Sequence, residues 1–537
     1  MDTDQELLLQ LNQTIHWLNK TIPDLEKRLK ETEANNDAFF LVSMSIAIFL
    51  MQCGFGFLEA GSVRSKNTTN ILIKNLLDSC ISAISYWLAG WALAFGGPPS
   101  NPFFGFSQFL LIGLPEGTYA KFFFQFVFTA TASTIVSGAL AERCEFIAYF
   151  VYCAFLTMFV YPIVSHWAWA DDGWLANGPM GIPFKDFAGS GVVHVLGGAA
   201  AFAGASILGP RIGRFDGKTH PKEDLMGHSV PFAALGGFLL MFGFFAFNGG
   251  SQASIAVRGD GAVVARAMTN TMLSGGWAAV TALLTEKLVL KKKWSLLLSI
   301  NAALTGMVAA CSGCDALEPW AACIVGFGAG LAYLVVAKTV ERIKVDDPLD
   351  AVGVHFGGGF WGLFVTPILM NDGIIFTWTG KSFVRFGWNI LGGVVISIWS
   401  GFWLGLAFYL LRLLKLLRVE EEIEIRGLDI YKHGEAAYPL VSYGHGWEEP
   451  GLTSSPQRKR STSAGQTNEI ALEEMAPNPG GLRKRSAYET AEQQAMKRSR
   501  NLDWLKRQKV ADLNAPIPES HNEHEEAQKE QMENSQP

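Results

Sequence analysis

Charge is scarce in this sequence. Asp, Glu, Lys and Arg together make up 17% of its 537 residues, while apolar residues make up 49%. That balance leaves too little polar surface to clothe a soluble domain of this size, and 38 Phe and 16 Trp widen the mismatch. No leader is expected, because the first 37 residues are polar and acidic, with no basic stretch ahead of an apolar one. The seven cysteines are scattered, which removes a disulfide framework and any zinc spacing. The one close pair, Cys311-Ser-Gly-Cys314, leaves a local disulfide and two unpaired thiols equally open. No Ser stands in a strained elbow motif. An enzyme, a cofactor, a metal and a nucleic-acid partner are therefore not expected.

What the chain has instead is apolar runs of roughly 20 residues, the length that crosses ~30 Å of hydrocarbon at ~1.5 Å per residue. Eleven can be counted, at about 38–60, 72–96, 119–142, 145–169, 189–210, 228–249, 262–286, 294–311, 317–339, 350–371 and 386–416. They predict an all-α polytopic membrane protein, multi-pass in the lipid bilayer. The 56 glycines suit a tight bundle, since small residues let membrane helices approach closely. With the N-terminus outside, fourteen Lys and Arg, from Arg64 and Lys66 to Arg342 and Lys344, fall on inward loops, against at most six outward. The positive-inside rule then places the N-terminus out and, after an odd number of spans, the C-terminus in. Two glycosylation sequons, at Asn12 and Asn19, fit an external N-terminus.

Three regions follow. Residues 1–37 form an outer extension, 38–418 the membrane domain, and the rest an inner tail that divides into an ordered part, 419–450, and a disordered part, 451–537. In the extension, Leu8, Leu11, Ile15, Leu18, Ile22, Leu25 and Leu29 repeat at 3-4-3-4 spacing, the seam of a coiled coil. A helix bundle that holds an oligomer together and a single amphipathic helix lying on protein or lipid both fit. Pro23 is expected to kink or restart the helix, and glycans on Asn12 and Asn19, beside the seam, would obstruct pairing. In the tail, Arg458-Lys-Arg-Ser461 and Arg483-Lys-Arg-Ser486 read either as kinase targets or as solvated charge runs.

Ionisable residues inside the apolar runs are few, so each raises a functional question. The fifth run opens Asp186-Phe-Ala-Gly-Ser-Gly-Val-Val-His194, and the tenth opens Asp347-Pro-Leu-Asp350-Ala-Val-Gly-Val-His355. Both place Asp eight residues before His, Val just before the His, and glycines close behind. Five spans separate the two units, an odd number, so they enter the membrane from opposite faces as a 5+5 inverted repeat with one final helix. Each His then lies roughly 12 Å deep at ~1.5 Å per residue, and the two meet near the midplane. One buried His is ordinarily a satisfied core residue. Two in repeated contexts suit a polar track, because neutral imidazole tolerates burial and offers one donor and one acceptor. Asp186 and Asp350 are expected to be structural supports, as helix caps or as a hold on backbone near the lumen.

These motifs resemble the Amt/Mep ammonium transporter family over about residues 38–440. The resemblance rests on Gly54-Phe-Gly-Phe-Leu-Glu59-Ala-Gly-Ser-Val-Arg64-Ser-Lys66-Asn67, Ser137-Gly-Ala-Leu-Ala-Glu142-Arg143, Asp186-Phe-Ala-Gly189 with Val193-His194, Phe247-Asn-Gly-Gly-Ser251, Asp346-Asp347-Pro348 with Gly353-Val-His355, and Arg426-Gly-Leu-Asp429 with His433-Gly434. It implies a plasma-membrane homotrimer with one pore per subunit. Trp169, Ser251 and Phe128 would form an outer ammonium site, where aromatic faces attract a small cation by ~0.5–2 kcal/mol each. Phe128 and Phe247, with Phe124 one turn away, would form a gate above His194 and His355. Ammonium would lose its proton there and ammonia would pass, with cytosolic regulators or kinases acting on the tail. Three positions depart from the usual pattern: Phe244, where bacterial members often carry Trp; Phe356, expected to narrow the lumen beside His355; and Tyr431, where plant relatives carry a regulatory Thr. An ammonium sensor on the same scaffold and an Rh-like channel for ammonia or carbon dioxide are the alternatives.

Overall fold

A computed structural model describes residues 2–98, 100–215 and 225–443. The basic clusters of the distal tail and the 451–537 region lie outside the described residues. Among these residues, apart from one antiparallel pair of two-residue strands, Ser100–Asn101 with Phe104–Gly105, every regular element is helical. Nine helical stretches among the described residues are long and apolar enough to cross a membrane. In chain order with two further helices they are α1 (Asp2–Ser62), α2 (Ser65–Phe95), α3 (Glu116–Leu140), α4 (Phe146–Trp169), α5 (Ser190–Leu208), α6 (Val230–Gly250), α7 (Asp260–Leu284), α8 (Leu296–Ala310), α9 (Pro319–Arg342), α10 (Val352–Leu369) and α11 (Gly380–Leu413). Of these, α8 is apolar but shorter, and α7 is long but less apolar.

The expected restart at Pro23 does not occur, and α1 continues as one helix from Asp2 to Ser62. A proline deletes one backbone hydrogen bond and bends a helix, but the turns on either side keep their own bonds. Close approach decides the packing of α1 on α6. A Cβ on Gly236 would lie 2.1 Å from the Leu58 nitrogen, and one on Gly61 would lie 2.4 Å from the Ala233 nitrogen. Only glycine fits there, and the two backbones meet without intervening side chains.

Opposite ends of the bundle are built differently. At one end the loops after α1, α3, α5 and α9 converge on a buried ionic cluster. Glu142 accepts from the Arg64 backbone N–H at 2.6 Å, from Asn67 Nδ2 at 3.0 Å and from Arg211 Nη1 at 2.9 Å. Arg211 turns its Nε and Nη2 onto both oxygens of Asp346, at 2.8 and 3.1 Å. Burial alone would push the Glu142 carboxyl up, but Arg64 and Arg211 overrule it and hold it down at about 2. The segment after α11, including α12 (Glu421–Arg426), docks on this end. Leu428 N–H donates to Asn67 Oδ1 at 3.0 Å, and Asp429 Oδ1 accepts from Asn70 N–H at 2.9 Å.

At the other end, Cys311 and Cys314, for which a disulfide and two unpaired thiols were equally open, are two unpaired thiols. Both thiols are fully buried and unbridged, and Cys311 Sγ donates to Asn248 Oδ1 at 3.0 Å. The turn after α8 tucks under the Lys185–Ala188 segment, whose Phe187 and Ala188 N–H groups bond to Ser312 and Cys311 carbonyls.

Candidate functional site

Both histidines stand in widened, π-type turns at the starts of their helices, Ser190–Val195 and Val352–Gly357. Such turns add a residue to the helical repeat and rotate the side chain away from the ordinary i, i+4 face. The cause is local. Asp186 Oδ2 accepts from Gly191 and Val192 N–H at 2.8 and 2.9 Å, and Asp347 Oδ2 accepts from Val352 N–H at 2.8 Å. Each carboxylate thus takes backbone donors five or six residues ahead and holds the first turn open. Gly189, at φ +98°, makes the sharp approach to the first of them.

The bonding equivalent of Asp186 is therefore Asp347. Asp350 takes a different part: its Oδ2 accepts the Tyr333 hydroxyl at 2.8 Å, and its φ is +58°. Burial pushes the Asp186 carboxyl up to about 7 against the pull of backbone N–H groups from Gly189 to Val192. Burial, joined by repulsion from Asp350, pushes Asp347 to about 7 as well.

His194 and His355 meet in the middle of the bundle. Their Nδ1 atoms are 3.1 Å apart, their rings lie within 15° of parallel, and both are buried. Two nitrogens at that distance need one hydrogen between them, so one ring donates and the other accepts. His194 Nε2 has no protein hydrogen-bond partner among the described residues, which leaves it available to a polar guest.

Aromatic rings continue the line from His194 toward the Trp169 end. Phe247 lies 5.7 Å from His194 between centroids, and Phe128 stacks on Phe247 at 4.0 Å and 25°. Phe124 follows at 4.8 Å from Phe128, and Trp169 meets Phe128 edge-on at 5.9 Å and 89°. Trp169 Nε1 donates to the Asp186 carbonyl at 2.8 Å, which ties the indole to the segment that also positions His194. Ser251 caps the same end of α6. Its hydroxyl donates to the Phe247 carbonyl at 2.8 Å, and the adjoining Gly250 packs against Phe124. From His355 through His194, Phe247 and Phe128 the ring contacts are continuous, and Phe124 and Trp169 both meet Phe128 at the far end.

Two neighbours of the pair differ from expectation. Phe356 does not crowd the lumen. It lies against Gly198 of α5 and Phe360, and it lines an apolar groove with Phe202 and Ile398. Successive helical side chains turn by ~100°, so the residue after the His that faces its partner ring points elsewhere. Phe55 of α1 instead approaches His355 at 6.3 Å, and Phe244 approaches His194 at 5.6 Å. Phe55 was hidden in the sequence, because one Phe among 38 carries no signal of its own. Beyond Asp350 a cavity of about 510 Å³ opens, lined by Asn301, Tyr333, Asp347 and Asp350. No group of three metal-ligating side chains occurs among the described residues.

Comparison with known proteins gives a consistent result. The profile of the Ammonium Transporter Family matches residues 38–438. A Caenorhabditis elegans relative, provisionally named ammonium transporter 1, is 54% identical over 436 residues, covering 77% of this chain and 81% of the relative. Among solved structures, a sensor Amt protein is 33% identical with a TM-score of 0.68, covering 75% of this chain and all of that one. Candida albicans Mep2, 24% identical with a TM-score of 0.67, shares the fold over 81% of this chain and 96% of its own.

Proposed function

The chain belongs to the ammonium transporter family, and from that premise we propose that it moves ammonium or ammonia across a membrane along the His194–His355 file. The observation that carries this reading is the 3.1 Å imidazole pair, buried beneath stacked Phe128 and Phe247. An intact ammonium ion faces a desolvation cost of roughly tens of kcal/mol in such an interior. Ammonium is therefore gathered by Trp169, Phe128 and Ser251 through cation–π and hydroxyl contacts. It gives up its proton to solvent water at the mouth as it enters. Ammonia then passes the gate of Phe128, Phe247 and Phe124 and exchanges hydrogen bonds with the two imidazoles.

With α7 and α8 counted as spans, the helices make an eleven-span, 5+5 inverted repeat with α11 added. The matched π-type turns and Asp caps of α5 and α10 support that relation. The basic residues set the N-terminus outside and the tail inside. Asn12 and Asn19 are then external glycan acceptors, the chain works as a plasma-membrane homotrimer, and its tail is open to cytosolic regulators or kinases. The test is ammonium-evoked flux by the His194→Ala, His355→Ala double variant. Flux should fall to background or lose its preference over potassium; unchanged flux and selectivity would refute the mechanism.

One observation favours a second reading. The 33% identical structural relative is described as a sensor, so an ammonium receptor on this scaffold would present the same site. Robust flux by a chain ending at Gly451 argues against a pure sensor.

A further inference from the structure

The N-terminal part of α1 has no partner among the described residues of its own subunit. Among residues 4–32, every residue is exposed except Thr21, which is half-buried. That includes the apolar seam at positions 8, 11, 15, 18, 22, 25 and 29, whose members are between 38% and 62% exposed. Continuity settles what kind of surface can cover it. Because α1 is one helix from Asp2 through its membrane-spanning half to Ser62, the extension cannot lie flat on lipid. It must instead project about 50 Å beyond the membrane-spanning part, at ~1.5 Å per residue.

After polar Thr32 and Asn36, apolar residues return in the same register lower down. The most exposed apolar residues of the lower half are Phe39 at 75% and Ile46 at 62%, seven residues apart and in heptad step with Leu11, Leu18 and Leu25. One stripe of α1, from the extension into the membrane, faces away from its own subunit.

We propose that this stripe pairs with the same stripe of a second copy of the chain, in parallel and in register, as a coiled coil standing on the outer face. The proposal rests on the homo-oligomer reading above. Copies held side by side in one membrane present identical seams at the same height and in the same direction. The flanking charges fit that arrangement. With Leu11, Leu18 and Leu25 at d, Arg28 falls at g and Glu33 at the following e, the two positions that face each other across a parallel pair. Within one helix, residues five apart do not meet. Pro23 falls at b, on the outer side, where a missing N–H leaves the seam intact. Asn12 and Asn19 lie at e, so a glycan would flank the distal half. The membrane-proximal half, from Ile22 to Leu29, is clear of both. Ile at the two central a positions favours two strands in isolation, so the membrane domain sets the number of copies.

The test is cysteine cross-linking of the full chain in membranes with an impermeant oxidant, with the parent chain as background. Leu25→Cys at the seam should form a cross-linked dimer at least about ten-fold more than Lys27→Cys on the opposite face. Adding Arg28→Glu to Leu25→Cys should lower the yield by setting like charges against each other, and adding Glu33→Arg as well should restore it. Particle size in detergent is measured alongside. An oligomer with equal cross-linking at positions 25 and 27, or with no effect of the charge swap, overturns the coiled coil alone. A monomer overturns the coiled coil together with the oligomer reading.

Discussion

Two buried polar regions of this molecule solve opposite problems. The Glu142 cluster buries full charges and compensates each: Arg211 bridges Glu142 and Asp346, and Arg64 closes the other side of Glu142. The histidine pair buries polarity without any ion. Its two neutral rings share one hydrogen at 3.1 Å within a sleeve of Phe55, Phe244 and Phe247. A fixed charge in a pore would trap or repel what passes, whereas a fixed ion pair at a loop junction locks elements together. If the pair serves passage, as proposed, stability and passage are kept in separate places, and substitutions should separate them.

The largest stability loss is expected for Arg211→Ala. It leaves Glu142 and Asp346 buried with fewer partners, a situation that costs roughly 3–5 kcal/mol. Thermal unfolding in detergent should show it, with Arg211→Lys intermediate because the two-pronged contact to Asp346 is lost but the charge stays. If Arg211→Ala unfolds like the parent, the cluster is not a lock.

Acid probes the same cluster without mutation. The Glu142 carboxyl is held at about 2 against an ordinary 4.5. A depressed acid contributes stability that is fully present above its unfolded value and is lost as pH falls through the folded one. The loss therefore runs between about 4.5 and about 2, and amounts to about 3 kcal/mol. Stability measured against pH should keep this acid limb in the parent and lose most of it in Arg211→Ala.

Smaller effects distinguish the two caps. Asp186→Ala and Asp347→Ala each remove the carboxylate that holds a first turn open, and each is expected to cost about 1–2 kcal/mol. Asp350→Ala removes one hydroxyl contact to Tyr333 and should cost less. A larger loss at Asp350 than at Asp347 would undo the equivalence of the two segments.

How much of this was legible beforehand follows from where each signal lives. The apolar runs and the repeated Asp-x₇-His units are local, so periodicity and spacing exposed them, and the two histidines do meet. The ionic cluster was not legible, because Arg64, Glu142, Arg211 and Asp346 lie on four different loops and only the fold converges them. Asp347 was passed over for Asp350 as a structural support, since either carboxylate sits close enough to cap α10 and only geometry chooses. Phe356 was misplaced for a related reason: adjacency in sequence says nothing about which way the next helical side chain turns. Pro23 was expected to kink or restart the helix from its own chemistry, and the restart does not occur because its neighbours on α1 carry the helix past it.

The smallest stability effect, and the one that tests the contrast most directly, belongs to the histidine pair. Replacing both rings, in the His194→Leu, His355→Leu variant, removes a donor and its acceptor together, so no buried polar atom of the pair is left unsatisfied. Exchanging both partners for apolar groups of similar size is close to neutral, within about 1 kcal/mol. The aromatic sleeve is apolar and should accept leucine. Unfolding should then match the parent within that margin while ammonium flux is lost. The single His194→Leu variant should be less stable than the double one, because it strands the His355 Nδ1. If the double variant unfolds as readily as Arg211→Ala, the imidazole pair is a structural lock too, and the division between passage and stability fails.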